Sequence, residues 1–193
     1  MTLNEIEIDA VGRGYESLPE LAAELLQAVG APPRLIAHHI LVHDTAARLV
    51  KRLRPSLPKT IDESAVCFGA ATHDIGKAIH RSELSEPGKT HEEAGRIVLL
   101  ERGVPSPLAR FAVTHGLPFD SDSHDMEDML VIIADKCWKG KRVNVLEERL
   151  ASDMASATNR DFFDVLLELS DVIESIADAA SSRLDWQNKH PVS

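Results

Sequence analysis

Apolar residues recur every three or four positions through most of the chain, which is the spacing of amphipathic α-helices. The clearest stripe lies between Arg160 and Trp186 and consists of Phe162, Val165, Leu166, Leu169, Val172, Ile173 and Ile176. We interpret this stripe as a core face or a dimer face. No stretch shows the sustained alternation of a half-buried strand. The pattern therefore predicts an all-α fold.

Proline, glycine and capping residues divide this pattern into separate helices. The opening dozen residues look irregular or weakly strand-like. Helices are predicted at 18–29, 34–53, 63–80, 91–103, 107–116, 126–140, 143–155 and 160–186, with Thr90 as a cap and 117–125 as an acidic loop. We expect one compact domain over residues 1–193 with seven or eight helices.

Composition and charge exclude several functional classes. The formal net charge of −10 is unsuited to nucleic-acid polymers, whose phosphates need clustered Lys and Arg. Cys67 and Cys137 form no C-x-x-C pair, so neither a disulfide framework nor a cysteine zinc site is expected. The N-terminal residues lack the basic and apolar regions of a signal peptide, and no apolar run approaches a membrane span. We expect a cytoplasmic protein with no membrane partner.

Histidines and aspartates in apolar helical contexts indicate a polar centre. Nine histidines occur in the chain. Six residues share an apolar surrounding in which a polar group needs a partner: His38, His73, Asp74, His91, His115 and Asp135. A lone buried histidine is usually a hydrogen-bonded core residue, but six such residues on five helices favour one shared centre. Imidazole and carboxylate ligands suit one or two divalent transition metals, namely Fe, Mn, Co, Ni or Zn.

The order of these residues resembles the HD superfamily of metal-dependent phosphohydrolases. The resemblance covers roughly residues 34–142 and consists of the stretches RLIAHHILVHDTAARLV, ATHDIGK, ELSEPGKTHEEAG, FAVTHG and VIIADK. It implies that His73 and Asp74 are metal ligands, that Asp74 bridges two metals, and that Asp135 completes the first site. His91, four residues before Gly95, and His115 resemble the extra ligands of dinuclear members. Residues 143–193 are then expected to complete the core or form a dimer face.

The predicted helix 34–53 contains two candidates for the first metal ligand, His38 and His43. His38 fits the family pattern of an Arg four residues before, a Val four after and an Ala eight after. His43 lies about 140° further round the helix, so the two side chains do not easily reach one metal. His38 is the preferred choice. Four other histidines are expected to be exposed: His39, His80, His124 and His190.

Lysines near these residues bear on phosphate chemistry. The resemblance implies that Lys77 contacts the substrate phosphate or orients the nucleophile, and the alternative is a surface lysine or a salt bridge to Asp74. The basic run Lys136, Lys139, Lys141 and Arg142 either grips a phosphate or, as we prefer, forms a solvated helix end. Glu92 and Glu93 are either proton acceptors beside His91 or ordinary first-turn residues. The stretch SDSHDMED is expected to be a solvated loop.

The resemblance implies an enzyme in which Asp74 and Lys77 are catalytic. Its substrate is expected to be a small phosphorylated molecule, with a nucleotide as the leading class, and a homodimer is an option. His115 is followed by GLPFD rather than a Gly-Tyr-Pro element, which departs from the cyclic-dinucleotide branch of the family. Two alternatives remain open. They are a non-catalytic metal- or nucleotide-binding regulatory module and a di-iron oxygenase on the same scaffold.

Overall fold

The computed structural model describes residues 1–192, so Ser193 lies outside the described part of the chain. Within that part there are eleven α-helical segments, two short 3-10 helices and no strand, which confirms the all-α prediction. The segments are α1 (Leu3–Gly12), α2 (Glu20–Ala28), α3 (Pro33–Leu53), α4 (Glu63–Thr72), α5 (Thr90–Glu101), α6 (Ser106–Ala109), α7 (Phe111–Thr114), α8 (Met126–Cys137), α9 (Asn144–Thr158), α10 (Phe162–Ala177) and α11 (Ala180–Asn188). No helix in residues 1–192 combines the length and apolarity that crossing a bilayer requires.

The N-terminal residues form a helix, so the prediction of an irregular or strand-like start was wrong. Thr2 and Glu5 make a capping box at the start of α1: the Glu5 N–H donates to Thr2 Oγ1 and the Thr2 N–H donates to Glu5 Oε2. The helix buries Ile6 and Ala10 against the core. The apolar stripe of α1 is short, which hid its helical period in the sequence.

The long helix α3 is the centre of the fold. It contacts α1, α4, α8, α10 and α11, and nearly all of its residues from Leu35 to Val50 are buried. Pro33 sits at its first turn, where a missing N–H costs nothing. Because α3 is covered on several sides, the polar residues in its buried part must find partners inside the protein.

The predicted helix 63–80 is interrupted where the HD pair lies. Helix α4 ends at Thr72, Asp74 adopts φ −101° and ψ 12°, and a 3-10 helix follows at Ile75–Ala78. This turn packs closely on α5, because a Cβ at Gly76 would lie only 2.0 Å from the His91 carbonyl oxygen. The break therefore places His73 and Asp74 at a helix end that faces α5.

The count of seven or eight helices was too low for two further reasons. The predicted helix 107–116 is divided into α6 and α7 at Arg110, and the predicted helix 160–186 is divided into α10 and α11. Arg183 lies in α11, just beyond the break that follows α10. It is buried and donates to the Ile176 and Trp138 carbonyl oxygens. These contacts satisfy C-terminal carbonyls of α10 and α8.

Candidate metal centre

The structure brings together all six residues that were predicted to form one polar centre. His38 lies in the first half of α3, His73 and Asp74 follow α4, and His91 lies in the first turn of α5. His115 ends α7, and Asp135 lies in the last turn of α8. All are buried except His115, which is partly buried.

Asp74 is the shared member of two groups of three ligand atoms. Its Oδ1 lies 3.1 Å from His91 Nε2 and 3.2 Å from His115 Nε2. Its Oδ2 lies 3.2 Å from His38 Nε2 and 3.6 Å from His73 Nε2. Within each group, the ligand atoms all lie within 4.8 Å of one another. The two carboxylate oxygens of Asp74 thus face two separate pairs of imidazoles.

Asp135 extends the group that contains His38 and His73. Its Oδ1 lies 3.7 Å from His38 Nε2 and 3.8 Å from His73 Nε2. Lys136 donates to Asp135 Oδ2 at 2.7 Å and Lys139 donates to Oδ1 at 3.2 Å. Burial alone would raise the pKa of Asp135, but the neighbouring charges, Lys139 foremost and Lys136 with it, lower it below its usual range. The carboxylate is therefore ionised, as a metal ligand must be.

Three of the histidines are oriented by a hydrogen bond from the ring nitrogen that points away from the cluster. His73 Nδ1 donates to the Ala70 carbonyl oxygen at 3.1 Å and His115 Nδ1 donates to the Phe111 carbonyl oxygen at 2.9 Å. His91 Nδ1 lies 2.5 Å from a carboxylate oxygen of Glu83. Since these acceptors need the proton on Nδ1, the neutral ring points the Nε2 lone pair into the cluster. This arrangement is typical of metal-bound histidine.

Unpaired buried atoms show that the donor set fits a cation. Among residues 1–192, Asp74 Oδ1 and His91 Nε2 have no hydrogen-bond partner of acceptable geometry, although they lie 3.1 Å apart. Lone pairs that converge in a buried site repel one another unless a positive charge lies between them. Imidazole nitrogens and carboxylate oxygens without thiolates suit a divalent transition ion.

The ionisation states of His73 and Asp74 agree with a ligand role. Burial lowers the pKa of His73 well below its usual value, so the ring is neutral and able to bind a metal. The pKa of Asp74 lies well below its usual range despite the burial of the carboxyl group. The bridging residue is therefore a carboxylate.

Glu83 belongs to the centre and was not recognised in the sequence. It accepts hydrogen bonds from the backbone N–H groups of Thr90 and His91, each at 3.1 Å, in addition to its contact with His91 Nδ1. Glu83 thus takes the capping role that had been predicted for Thr90, which is itself the first residue of α5. Burial opposes ionisation, but the hydrogen bonds from His91 and Thr90 outweigh it and lower the pKa of Glu83 to about 2. No local motif links Glu83 to a histidine eight residues later.

Lys77 forms the salt bridge that the sequence left as one alternative, with its Nζ 2.6 Å from Asp74 Oδ2.

The prediction of a solvated helix end was wrong for Lys136 and Lys139, whose side chains are only 26% and 24% exposed. It holds for Lys141, which is exposed. Burial lowers the pKa of Lys139 despite the nearby Asp135.

The two glutamates beside His91, Glu92 and Glu93, face different surroundings. Glu92 lines the cleft above the centre, whereas Glu93 forms a surface ion pair with Arg96.

The stretch SDSHDMED was expected to be solvated and is partly buried. Asp128 lies in the interior and accepts hydrogen bonds from Arg110 and Thr114.

The prediction of four exposed histidines was wrong for at least three of them. His39, His124 and His190 are buried, and His80 is partly buried. The ring of His39 packs edge-on against His73 with centroids 5.3 Å apart, because α3 is covered on this side as well. His124 and His190 each bond a backbone carbonyl oxygen at 3.0 Å, those of Pro118 and Trp186. Burial lowers the pKa of His39 to about 3.

The structure places His38, and not His43, in the cluster. His43 is buried on the same helix, and among residues 1–192 its Nδ1 atom has no hydrogen-bond partner. Burial lowers the pKa of His43 to about 4. The two residues differ because five residues of helix turn the side chain to another face.

The cluster forms the floor of a cleft with two adjoining cavities of about 370 Å³ and 200 Å³. Both cavities are lined by His38, Asp74, Lys77 and Lys139. The larger one is mostly polar and also includes Lys89 and Lys136. The smaller one also includes Arg34, Leu35, Leu84, Trp138 and Gln187. In a chain of net charge −10, this cleft concentrates basic side chains.

Comparison with known families agrees with the geometry. The HD domain family model matches residues 35–140, which contain every residue of the cluster. Searches of curated proteins and of solved structures gave no match. The matched segment is more than half of the 193 residues. The chain therefore belongs to the HD domain family.

Proposed function

We propose that this protein is a metal-dependent phosphohydrolase that acts on a small phosphorylated molecule, with nucleotides as the leading class. The observation that carries the proposal is the position of Asp74. It is shared by two groups of histidine ligands and contacts Lys77 at the floor of a basic cleft. A carboxylate between two metal positions is the arrangement used by two-metal phosphoesterases.

The ligands divide between two positions. His38, His73, Asp74 and Asp135 would hold one ion, and Asp74, His91 and His115 would hold a second. Divalent ions at such positions lower the pKa of water and polarise a phosphoryl oxygen. Glu83 fixes the orientation of the His91 ring and so keeps its Nε2 directed at Asp74.

The lysines supply the chemistry that distinguishes phosphate handling from metal binding alone. Lys77 and Lys139 line both cavities, so a phosphoryl group over the cluster lies within their reach. An ammonium group has three N–H donors. Lys77 uses one of them for Asp74, and the others are available to the equatorial oxygens of a phosphoryl group.

The size of the cleft favours a small substrate. Cavities that bind small molecules occupy about 300–1,000 Å³ and enclose most of the ligand. The larger cavity, at about 370 Å³, is at the lower end of this range. Hydrolysis adds water across a P–O bond and releases inorganic phosphate together with an alcohol or a shorter phosphate ester.

The test is phosphate release by metal-stripped protein reloaded separately with Mn²⁺, Fe²⁺, Co²⁺, Ni²⁺ or Zn²⁺. The substrates are nucleoside mono-, di- and triphosphates, sugar phosphates and p-nitrophenyl phosphate. We expect metal-dependent release from at least one nucleotide. Binding of nucleotide without release in any metal would favour a regulatory module. Oxygen consumption by the iron-loaded protein would favour an oxygenase.

Lys77→Met separates catalysis from binding. Removing a donor to the transition-state phosphoryl group is expected to lower kcat by about 10²–10³-fold. Lys141→Met removes the same charge from an exposed position outside the cavity lining and should retain wild-type kcat. Equal kcat values for the two variants would contradict a role for Lys77 in the reaction.

A further inference from the structure

The C-terminal helix reaches the cleft although it lies outside the segment matched by the family. Gln187, from α11, lines the smaller cavity together with Arg34 and Trp138. The family match ends at residue 140, about 40 residues before α11 begins at Ala180. The smaller cavity is therefore completed by a part of the chain that the HD core does not supply.

Hydrogen bonds on both sides hold Gln187 in place. On one side, the Trp186 indole N–H donates to Asp9 Oδ2 at 2.6 Å. On the other side, Arg34 donates to the His190 carbonyl oxygen at 2.7 Å and to the Asn188 carbonyl and side-chain oxygens at 3.2 Å. Arg34 thus binds the carbonyl-rich end of α11, where a cation is favoured by the helix dipole. These contacts make Arg34 a positioning residue for the end of α11.

The Gln187 amide is unused by the rest of the described chain. Within residues 1–192 it takes part in no side-chain hydrogen bond, and the residue is only partly buried. A primary amide offers one acceptor and two donors in a single plane. Gln187 therefore presents a neutral donor–acceptor pair to a ligand in the cavity.

One wall of the smaller cavity is apolar and consists of Leu35, Leu84 and Trp138. Leu35 and Trp138 are almost fully buried, and Leu84 is partly buried. The Trp138 ring packs edge-on against His38, with centroids 5.5 Å apart, so this wall directly adjoins the metal ligands. The Trp138 indole N–H is buried and has no acceptor among residues 1–192. An apolar aromatic wall with few polar groups is typical of sites that bind flat organic ligands.

We propose that the smaller cavity binds the leaving group of the substrate, that this group carries a nucleobase, and that Gln187 selects it. The inference rests on the proposed phosphohydrolase function. Beyond the residues that the two cavities share, the larger one adds Lys89 and Lys136, which suit a phosphoryl group. The smaller one adds an apolar wall and the Gln187 amide, which suit the organic part. Glutamine amides bind adenine through adjacent donor and acceptor atoms. The base lies along the Trp138 wall with its polar edge towards the Gln187 amide.

The test compares the selectivity of wild type, Gln187→Leu and Gln27→Leu. The substrates are the four common ribonucleoside 5′-monophosphates and ribose 5-phosphate, which lacks a base. The measured quantity is kcat/KM for each nucleotide divided by kcat/KM for ribose 5-phosphate. We expect Gln187→Leu to lower this ratio about tenfold for the preferred nucleotide, mainly through KM, since a lost pair of hydrogen bonds weakens binding by about that factor. Gln27, the other glutamine of the chain, is exposed on α2 and serves as the matched control.

The outcomes separate this inference from the proposed function. Release of phosphate with no preference for nucleotides, or an unchanged ratio in Gln187→Leu, overturns the inference and leaves the phosphohydrolase function standing. If no substrate is hydrolysed, the proposed function fails, and calorimetry with the same ligands decides the inference. Tighter binding of a nucleotide than of ribose 5-phosphate, lost in Gln187→Leu, supports it, and equal affinities overturn it.

Discussion

Gly76 is the position where a single methyl group should disturb one half of the metal centre. A Cβ added there would lie 2.0 Å from the His91 carbonyl oxygen and 2.6 Å from the Gly95 backbone nitrogen. Both atoms belong to the backbone of α5 and cannot rotate away. Gly76→Ala therefore forces α5 to move relative to the turn that carries Asp74.

The size of the effect follows from these distances. Ordinary contact begins at 3.4 Å, so the His91 carbonyl must shift by at least about 1.4 Å. Overpacking of this kind costs about 1–3 kcal/mol of the free energy of unfolding. The shift carries the His91 ring away from Asp74, and a misplacement of about 1 Å in a catalytic constellation costs about 10²-fold in activity.

Three measurements on Gly76→Ala check this reasoning: bound metal per chain, urea unfolding and phosphate release. We expect loss of the ion at the position that includes His91, a lower midpoint and about 10²-fold less activity. The matched control is Gly12→Ala, because a Cβ at Gly12 meets no atom within 4 Å. The control should be neutral or slightly stabilising. Wild-type metal content and activity in Gly76→Ala would refute the close packing of the turn on α5.

Glu83→Gln removes the charge that orients His91 and should weaken metal binding about 10–100-fold in a chelator competition, whereas the exposed Glu86→Gln should not. His43→Leu tests pH-dependent stability, because burial lowers the pKa of His43 from 6.5 to about 4. The unfolded chain then takes up the proton first, so stability present above pH 6.5 is lost as the pH falls towards 4. When the free energy of unfolding is measured in urea, its decrease from pH 7.5 to pH 4 should be on the order of 3 kcal/mol smaller for His43→Leu than for wild type. The metal content of His43→Leu should match wild type, while His38→Ala should lose metal. Loss of metal in His43→Leu with wild-type metal content in His38→Ala would make His43 the ligand.

The sequence predicted the helical class and the membership of the cluster for a physical reason. Apolar periodicity reports helices directly, and polar residues within apolar stretches must find partners inside the fold. His73, Asp74 and Asp135 each stood out in this way. His38, His91 and His115 were assigned to the same set on the same ground, and the order of the six residues then carried the resemblance to the HD superfamily.

The errors arose where tertiary packing outweighs local pattern. His39 was expected at the surface because a single helical face was assigned to the core, but α3 is covered on several sides. The break after Thr72 depends on the approach of Gly76 to α5, which no local propensity encodes. Glu83 reaches His91 from a 3-10 helix at Arg81–Leu84, so its role depends on a turn that the sequence does not specify.

The most direct test of the account is a metal titration of stripped wild-type protein with parallel measurement of phosphate release. We predict that each chain binds about two Mn²⁺ or Fe²⁺ ions, as expected for two ligand groups that share a carboxylate. Phosphate release from a nucleotide should appear as these positions fill, and Asp74→Asn should abolish both binding and release. A wild-type chain that is fully loaded with metal and releases phosphate from no substrate would contradict the account.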